Sequence, residues 1–363
     1  MSHEPTPQTI IMIKEKKRVQ DEKIFKITIW VIFLLLLIII LKKLALLFIP
    51  FSISLLLCYA LGIPLDLLRR LRVPRFLRIF VVVLFVFVVV YLFGRVLAAN
   101  IRDFYGQFPI FEEKFWSYVN ILLSRFDITP AQVRESYAGF LSNLEGSDFK
   151  SMGSFVQRLG GSFFSFLGNA IWVALFMIFM LAEQDGFNKR VARAFGEESS
   201  VSILEALSRI NKAVQDYLGL KTMISFFTGV LVFIALFLFD VPFAVLWGML
   251  AFLLNFIPNI GSMIAVVPPV LITLFQFGSL SKTLGVCAVL LAIQVVVGSF
   301  VEPKIMGKGL NLSPLTVLFA LLFWGWMWGI PGMLLSVPLT AAIKIAFEQL
   351  ESTRPLALMM AGE

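Results

Sequence analysis

The chain is 363 residues long, 59% of them hydrophobic and only 15% charged, where a soluble domain carries about 25% charged residues. One soluble core of this size cannot hide so much apolar surface, so the composition excludes a soluble globular protein and points to lipid as the solvent. The formal net charge of +8 does not indicate nucleic acid, because the cations sit between apolar runs, as the lysine and arginine bias of cytoplasmic loops produces.

A helix needs about 20 apolar residues to cross a bilayer. Residues 1–26 form a polar cytoplasmic tail with Lys14, Lys16, Lys17, Arg18, Lys23 and Lys26. That head is too long for a signal peptide and no small-x-small cleavage site follows its apolar run, so a cleavable leader is not expected. Residues 27–98 hold three spans, read as Ile27–Leu41, Leu44–Ile63 and Phe76–Ala98. Lys42 and Lys43 lie between the first two, their stems long enough to snorkel. Arg69, Arg70, Arg72, Arg75 and Arg78 mark the next connection as cytoplasmic.

From Asn100 to Gly161 the chain carries six basic and seven acidic residues, so the insert at 99–162 reads as external. Leu97, Ile101, Phe104, Phe108, Phe111, Phe115, Tyr118 and Leu122 step alternately by four and three, which is a heptad seam. The spacing predicts that the third helix continues out of the membrane as an amphipathic rod, kinked near Pro109. Its seam either packs within a small external domain or meets another subunit. A fourth span occupies 163–182. Residues 183–219 read as cytoplasmic, with an amphipathic helix from Ser199 to Tyr217 along the interface. Residues 220–350 form the core of the protein, starting with a fifth span at Leu220–Phe239, and 351–363 a cytoplasmic tail.

The core breaks twice. Asn255-Phe256-Ile257-Pro258-Asn259-Ile260-Gly261 interrupts the run Phe243–Phe277, and Gly329-Ile330-Pro331-Gly332 interrupts Leu315–Phe347. Irregular backbone at membrane depth is tolerated only where protein or a watery cavity satisfies it. Each break follows a full span, Leu220–Phe239 or Thr283–Val301, and the two spans run in opposite senses. The expected fold is an all-α polytopic membrane protein with about 6 full spans plus two broken, re-entrant helical hairpins in an inverted repeat. Two ordinary kinked helix pairs, giving about ten full spans, remain the alternative.

Polar groups near the breaks are the candidate solute or ion pathway: Asn255, Pro258, Asn259, Gly261, Gln294, Glu302, Lys304, Gly329, Pro331 and Gly332. Asn255 and Asn259 offer donor and acceptor together, suiting a hydroxylated solute or a cation, or they cap helix ends. Gln294 lies inside a span and needs a partner, a neighbouring helix included. Pro303 is expected to end its helix and push Glu302 out of the helical region. The Glu302 carboxylate then either carries a proton or sodium, or pairs with Lys304. Lys221 is read as a headgroup anchor. No metal site or cofactor is expected: His3 is the single histidine, Cys58 and Cys287 lie in apolar runs, and no HExxH, Walker A or GxGxxG element occurs. With no serine–histidine pair available, the chain does not read as an enzyme.

Asn-x-Ile-Pro-x-Ile-Gly at 255–261, Glu-Pro-Lys-Ile-Met-Gly at 302–307 and Gly-x-x-Gly-x-x-x-x-x-Pro at 329–338 resemble the autoinducer-2 exporter family of bacterial permeases. The resemblance covers most of the chain and is strongest from Tyr217 to Phe347. It implies an oligomeric secondary transporter of the bacterial inner membrane, exporting a furanone-type quorum signal or exchanging sodium or lithium for protons. The leading reading is export of a small polar metabolite, autoinducer-2-like, driven by an ion gradient. Cation/proton antiport through Glu302 is the second, and a membrane scaffold that transports nothing is the third. The partners are the bilayer, a small polar solute, H+ or Na+, and further copies of the chain.

Overall fold

The computed structural model of the protein describes residues 31–124, 170–258, 260–306, 310–349 and 351–362, together with positions 25, 28 and 29. The expectations for the tail at 1–24, the insert from 125, Asn259 and Gly307 lie outside the described residues. By packing, residues 1–49 and 50–363 are two separate units.

The first unit contains α1 (Val31–Lys43), whose Ile32, Phe33, Leu34 and Leu35 are exposed, as lipid contact requires. Helix α2 is Ala45–Ala60, and α3 is Gly62–Arg70. Neither α1 nor α2 reaches 18 described residues; they meet the length and hydropathy of a span only as a pair broken at Leu44. The break falls beside Lys42 and Lys43.

Helix α4 (Arg75–Ser124) is continuous for 50 residues, with Pro109 inside it. Its apolar part, Arg75–Gln107, has only 6% of its most apolar window buried, so it faces lipid. The seam beyond is used inside the chain. Leu97, Phe104 and Phe111 are buried; Phe104 packs edge-on against Phe243 at 5.3 Å and Trp247 at 5.5 Å between ring centroids. Lys114 Nζ donates to Gln276 Oε1 (3.0 Å), and the Tyr118 hydroxyl lies over Gly278. The side chains of Phe108, Phe115 and Leu122 are outside the description.

Ala170–Leu238 is one helical run, broken by the extended backbone of Gly196 (φ 76°, ψ 167°). Its ends are α5 (Ala170–Glu183) and α6 (Ser200–Leu238). The amphipathic stretch expected to lie separately on the interface is therefore continuous with the fifth span. Nothing between Ser200 and Leu238 breaks helical geometry, and the two stretches share one buried seam through Val214, Lys221, Ser225, Thr228 and Val232.

The rest is α7 (Ala244–Leu254), α8 (Ile260–Phe277), α9 (Leu280–Val295), a π-helical segment Val296–Val301, α10 (Glu302–Met306), α11 (Pro314–Trp328), α12 (Ile330–Glu348) and α13 (Arg354–Met360). Among the described residues, five helices are long and apolar enough to cross a membrane, six counting the α1–α2 pair, so the chain is an all-α polytopic membrane protein. Both expected breaks occur, but the arms are unequal. Helix α7 has 11 residues and α8 has 18. At 1.5 Å per residue α7 is about 16 Å long, roughly half of a 30 Å hydrocarbon core. The short arm starts late because Asp240 and Phe243 hold left-handed backbone (φ 54° and 60°) in the turn after α6.

The core gathers Leu97, Phe104 and Phe111 of α4, Val232 and Leu236 of α6, and inward residues of α7, α8 and α9. The α6–α7 crossing is backbone on backbone. A Cβ on Gly229 would lie 2.7 Å from the Gly248 carbonyl oxygen, and one on Gly248 would lie 2.8 Å from that of Gly229. Small residues let helices approach this closely where lipid gives no hydrophobic drive to associate.

Candidate functional site

Beyond Ser200 at its first position, three polar residues interrupt the buried side of α6. Lys221, Ser225 and Thr228 are 2%, 0% and 0% exposed, and their spacing of four and three puts them on one face. Thr228 Oγ1 donates to its own helix at the Ile224 carbonyl (2.8 Å). The other two reach different elements. Lys221 Nζ pairs with Glu302 Oε1 at 2.5 Å, and Asn255 Nδ2 donates to Ser225 Oγ at 3.0 Å.

Each partner is delivered by a local irregularity. The glycine crossing lets α7 lie on α6 and ends it at Asn255, the first residue past α7 (φ −63°, ψ −17°). The chain then reverses through Pro258 so tightly that a methyl group on Gly261 would strike the Leu254 carbonyl oxygen. Glu302 follows the π segment, and its N–H bonds to the Val297 carbonyl five residues back. Such wide turns recur at functional sites. Lys221 and Ser225 stand one turn apart, about 6 Å along the axis, so an ion pair and an amide–hydroxyl pair from two distant segments meet on one helix face. An ammonium and a carboxylate away from water hold only as a pair, and inside a span such groups mark pathways for ions and solutes.

The AI-2E family transporter profile matches residues 27–352. The chain belongs to the AI-2E transporter family. A candidate transport protein of Haemophilus influenzae is 34% identical over 317 residues, covering 86% of this chain and 89% of its own. A second, from Borreliella burgdorferi, is 30% identical over 315 residues, covering 86% and 84%. The AI-2 transport protein TqsA of Escherichia coli K12 is 44% identical over 187 residues, 51% of this chain and 52% of its own. This AI-2E protein is thus a multi-span transporter of the plasma membrane, with the bilayer and a small solute as partners; the family is one of transporters, not of enzymes.

Two expectations for this AI-2E site are corrected. Lys221 is not a headgroup anchor but a buried partner. Glu302 is not turned out of the helix, nor paired with Lys304: it is helical (φ −60°, ψ −51°) and bonded to Lys221, while Lys304 is exposed. Pro303 does not stop the chain, because the wide π turn absorbs its missing donor and the helix runs on to Met306.

Among the other expected residues, Gln294 is half-buried and makes no hydrogen bond among the described residues. The second tip resembles the first in build. Gly329 takes φ 66°, ψ −142°, which only glycine adopts readily. Pro331 opens α12, and a methyl group on Gly332 would strike the Trp324 carbonyl oxygen. Its polar groups differ from those on α6: Trp324 Nε1 donates to Thr340 Oγ1 (3.2 Å), and buried Lys344 pairs with Glu348 at 2.7 Å.

Sequence reasoning passed over Ser225, Thr228, Ser336 and Thr340, and took Lys344 only as one of the cations that mark the cytoplasmic side. The signal was available: Lys221, Ser225 and Thr228, and again Ser336, Thr340 and Lys344, recur at helical spacing through otherwise apolar spans. A cavity of about 230 Å³ lies elsewhere, between α2, α4 and α5, lined by Leu57, Val86, Ala174, Met177 and similar side chains. It has little to offer a polar solute.

Proposed function

We propose that this transporter exports a small polar metabolite of autoinducer-2 type by alternating access, and that the solute passes the α6 face where Lys221–Glu302 and Ser225–Asn255 meet. The observation that carries the reading is the buried ion pair beside the first tip, in a span otherwise apolar. A hydroxylated solute can exchange hydrogen bonds with the Asn255 amide and the Ser225 hydroxyl, each of which both donates and accepts. The relative named for AI-2 transport supports the substrate class. Two Pro/Gly-tipped helix pairs, each following a span, support a midplane site served by an inverted repeat. The lysine and arginine bias of the loops supports cytoplasmic termini. A homo-oligomer would join through surfaces other than Phe104 and Phe111, which this chain buries itself.

The test is solute uptake into reconstituted vesicles. Asn255→Ala and Glu302→Gln are each expected to lower flux at least tenfold with protein amount unchanged. Full flux in both would remove the site assignment.

A second reading, sodium or lithium/proton antiport, is favoured by the Lys221 ammonium, which occupies the place a coupling cation would take on Glu302. A pH-gradient dye in the same vesicles, with sodium added and no organic solute, separates the two readings.

A further inference from the structure

The two helix pairs are closed differently at the ends away from their tips. The α7–α8 pair is gripped from outside. Phe104 and Phe111 of α4 hold Phe243 just before α7, and Lys114 and Tyr118 reach Gln276 and Gly278 at the end of α8. The α11–α12 pair carries its own closure. Beyond α12 the chain turns, and residues 353–362 come back alongside the segment that leads into α11.

The contacts are backbone to backbone. Gly362 N–H donates to the Asn311 carbonyl (3.2 Å), Ser313 N–H donates to the Met360 carbonyl (3.0 Å), and Leu312 and Ala361 form an antiparallel bridge. Helix α13 is seated by Ala357, 1% exposed, and by Thr353 Oγ1 donating to the Phe347 carbonyl at the end of α12 (3.0 Å). Asn311 takes left-handed backbone (φ 45°), which asparagine tolerates better than most residues. The family match stops at residue 352, so every strap residue lies beyond it.

We propose that residues 353–362 are a strap that ties the start of α11 to the end of α12, so that the pair moves as one rigid body. The purpose rests on the transport reading; the closure itself does not. Without the strap, the arms keep the tip at Gly329 and their mutual packing, but residues 310–313 lose their backbone tie to the chain beyond α12. With it, a displacement of the start of α11 is passed to both arms together.

The experiment uses a protein with Cys58 and Cys287 replaced by serine. Antiparallel bridge partners lie within disulfide reach, so Leu312→Cys with Ala361→Cys locks the strap under mild oxidation. The expected result is flux within twofold of the reduced protein. Ala357→Asp, which pries α13 from its seat, is expected to speed amide exchange at Ser313 at least tenfold and to lower flux several-fold. Oxidising the cysteine pair in that background restores flux. Gly362→Pro removes one donor and produces a smaller rise in exchange, which keeps the test open should Ala357→Asp fail to fold. A lock that stops flux until reductant is added means the strap has to open, and overturns the proposal. So does unchanged Ser313 exchange in both strap variants. A parent protein with no flux would sink the transport reading alone, since the exchange data judge the strap separately.

Discussion

Replacing Glu302 by glutamine leaves the Lys221 ammonium, 2% exposed, with no opposite charge. Breaking a buried pair at one partner costs about 3–5 kcal/mol. The pair is not symmetric, because the Glu302 side chain is 24% exposed. Lys221→Met leaves a carboxylate less enclosed than the ammonium, and its cost falls nearer about 1–3 kcal/mol, roughly that of an unsatisfied polar group. The double variant leaves no unpaired charge buried and keeps most of the volume, so it should lie within about 1–3 kcal/mol of wild type, well short of the sum of the single changes. The assay is thermal unfolding of the detergent-solubilised protein at fixed heating rate, read as a rank order because such unfolding is rarely reversible. Wild type should be most stable, then the double variant and Lys221→Met, with Glu302→Gln lowest. A Glu302→Gln protein as stable as wild type, or a double variant worse than either single change, would refute the claim that Lys221 depends on this carboxylate.

Five more substitutions bear on the packing around this pair, three of them read by the same unfolding assay. Ser225→Ala leaves the Asn255 amide without its acceptor and should cost about 1–3 kcal/mol; an unchanged midpoint would mean that the 3.0 Å bond holds nothing. Gly261→Ala and Gly332→Ala force a methyl group onto a carbonyl oxygen at each tip. Each should cost about 1–3 kcal/mol or more as overpacking, seen as lower yield of monodisperse protein on fluorescence-detected gel filtration; normal yield of both would show that the tips are loose. Phe104→Ala empties a site that is 0% exposed and should cost about 3–5 kcal/mol. Phe85→Ala, on the lipid side of the same helix, should stay within about 0.5 kcal/mol; equal effects would mean that α4 does not grip the α7–α8 pair.

The helical class and the two breaks were legible because lipid imposes simple rules: long apolar runs cross, and Pro/Gly clusters interrupt them. The heptad in α4 was legible for the same reason, although its partner was not, since Phe243 and Trp247 lie more than a hundred residues further along the chain. Asn255 and Glu302 stood out as polar groups in apolar surroundings. Their common meeting place did not, because it depends on which face of α6 is buried and on a lysine that looks like an ordinary interfacial cation. Local rules also misled at Glu302: a residue before proline avoids the helical region on average, but a widened turn upstream removes the clash. The unequal arms of the first break follow from left-handed backbone at Asp240 and Phe243, and neither residue type announces that.

That widened turn has a consequence of its own. Val296–Val301 holds one residue more per turn than an ordinary helix, so all that follows is out of phase with what precedes it by about 100°, the rotation of one residue. Tightening that turn to an ordinary α-helix without removing a residue would rotate the carboxylate by about 100° away from Lys221, whereas deleting one residue as the turn tightens would leave it facing α6. Where this acid points is settled by counting residues along the span as much as by the chemistry of glutamate.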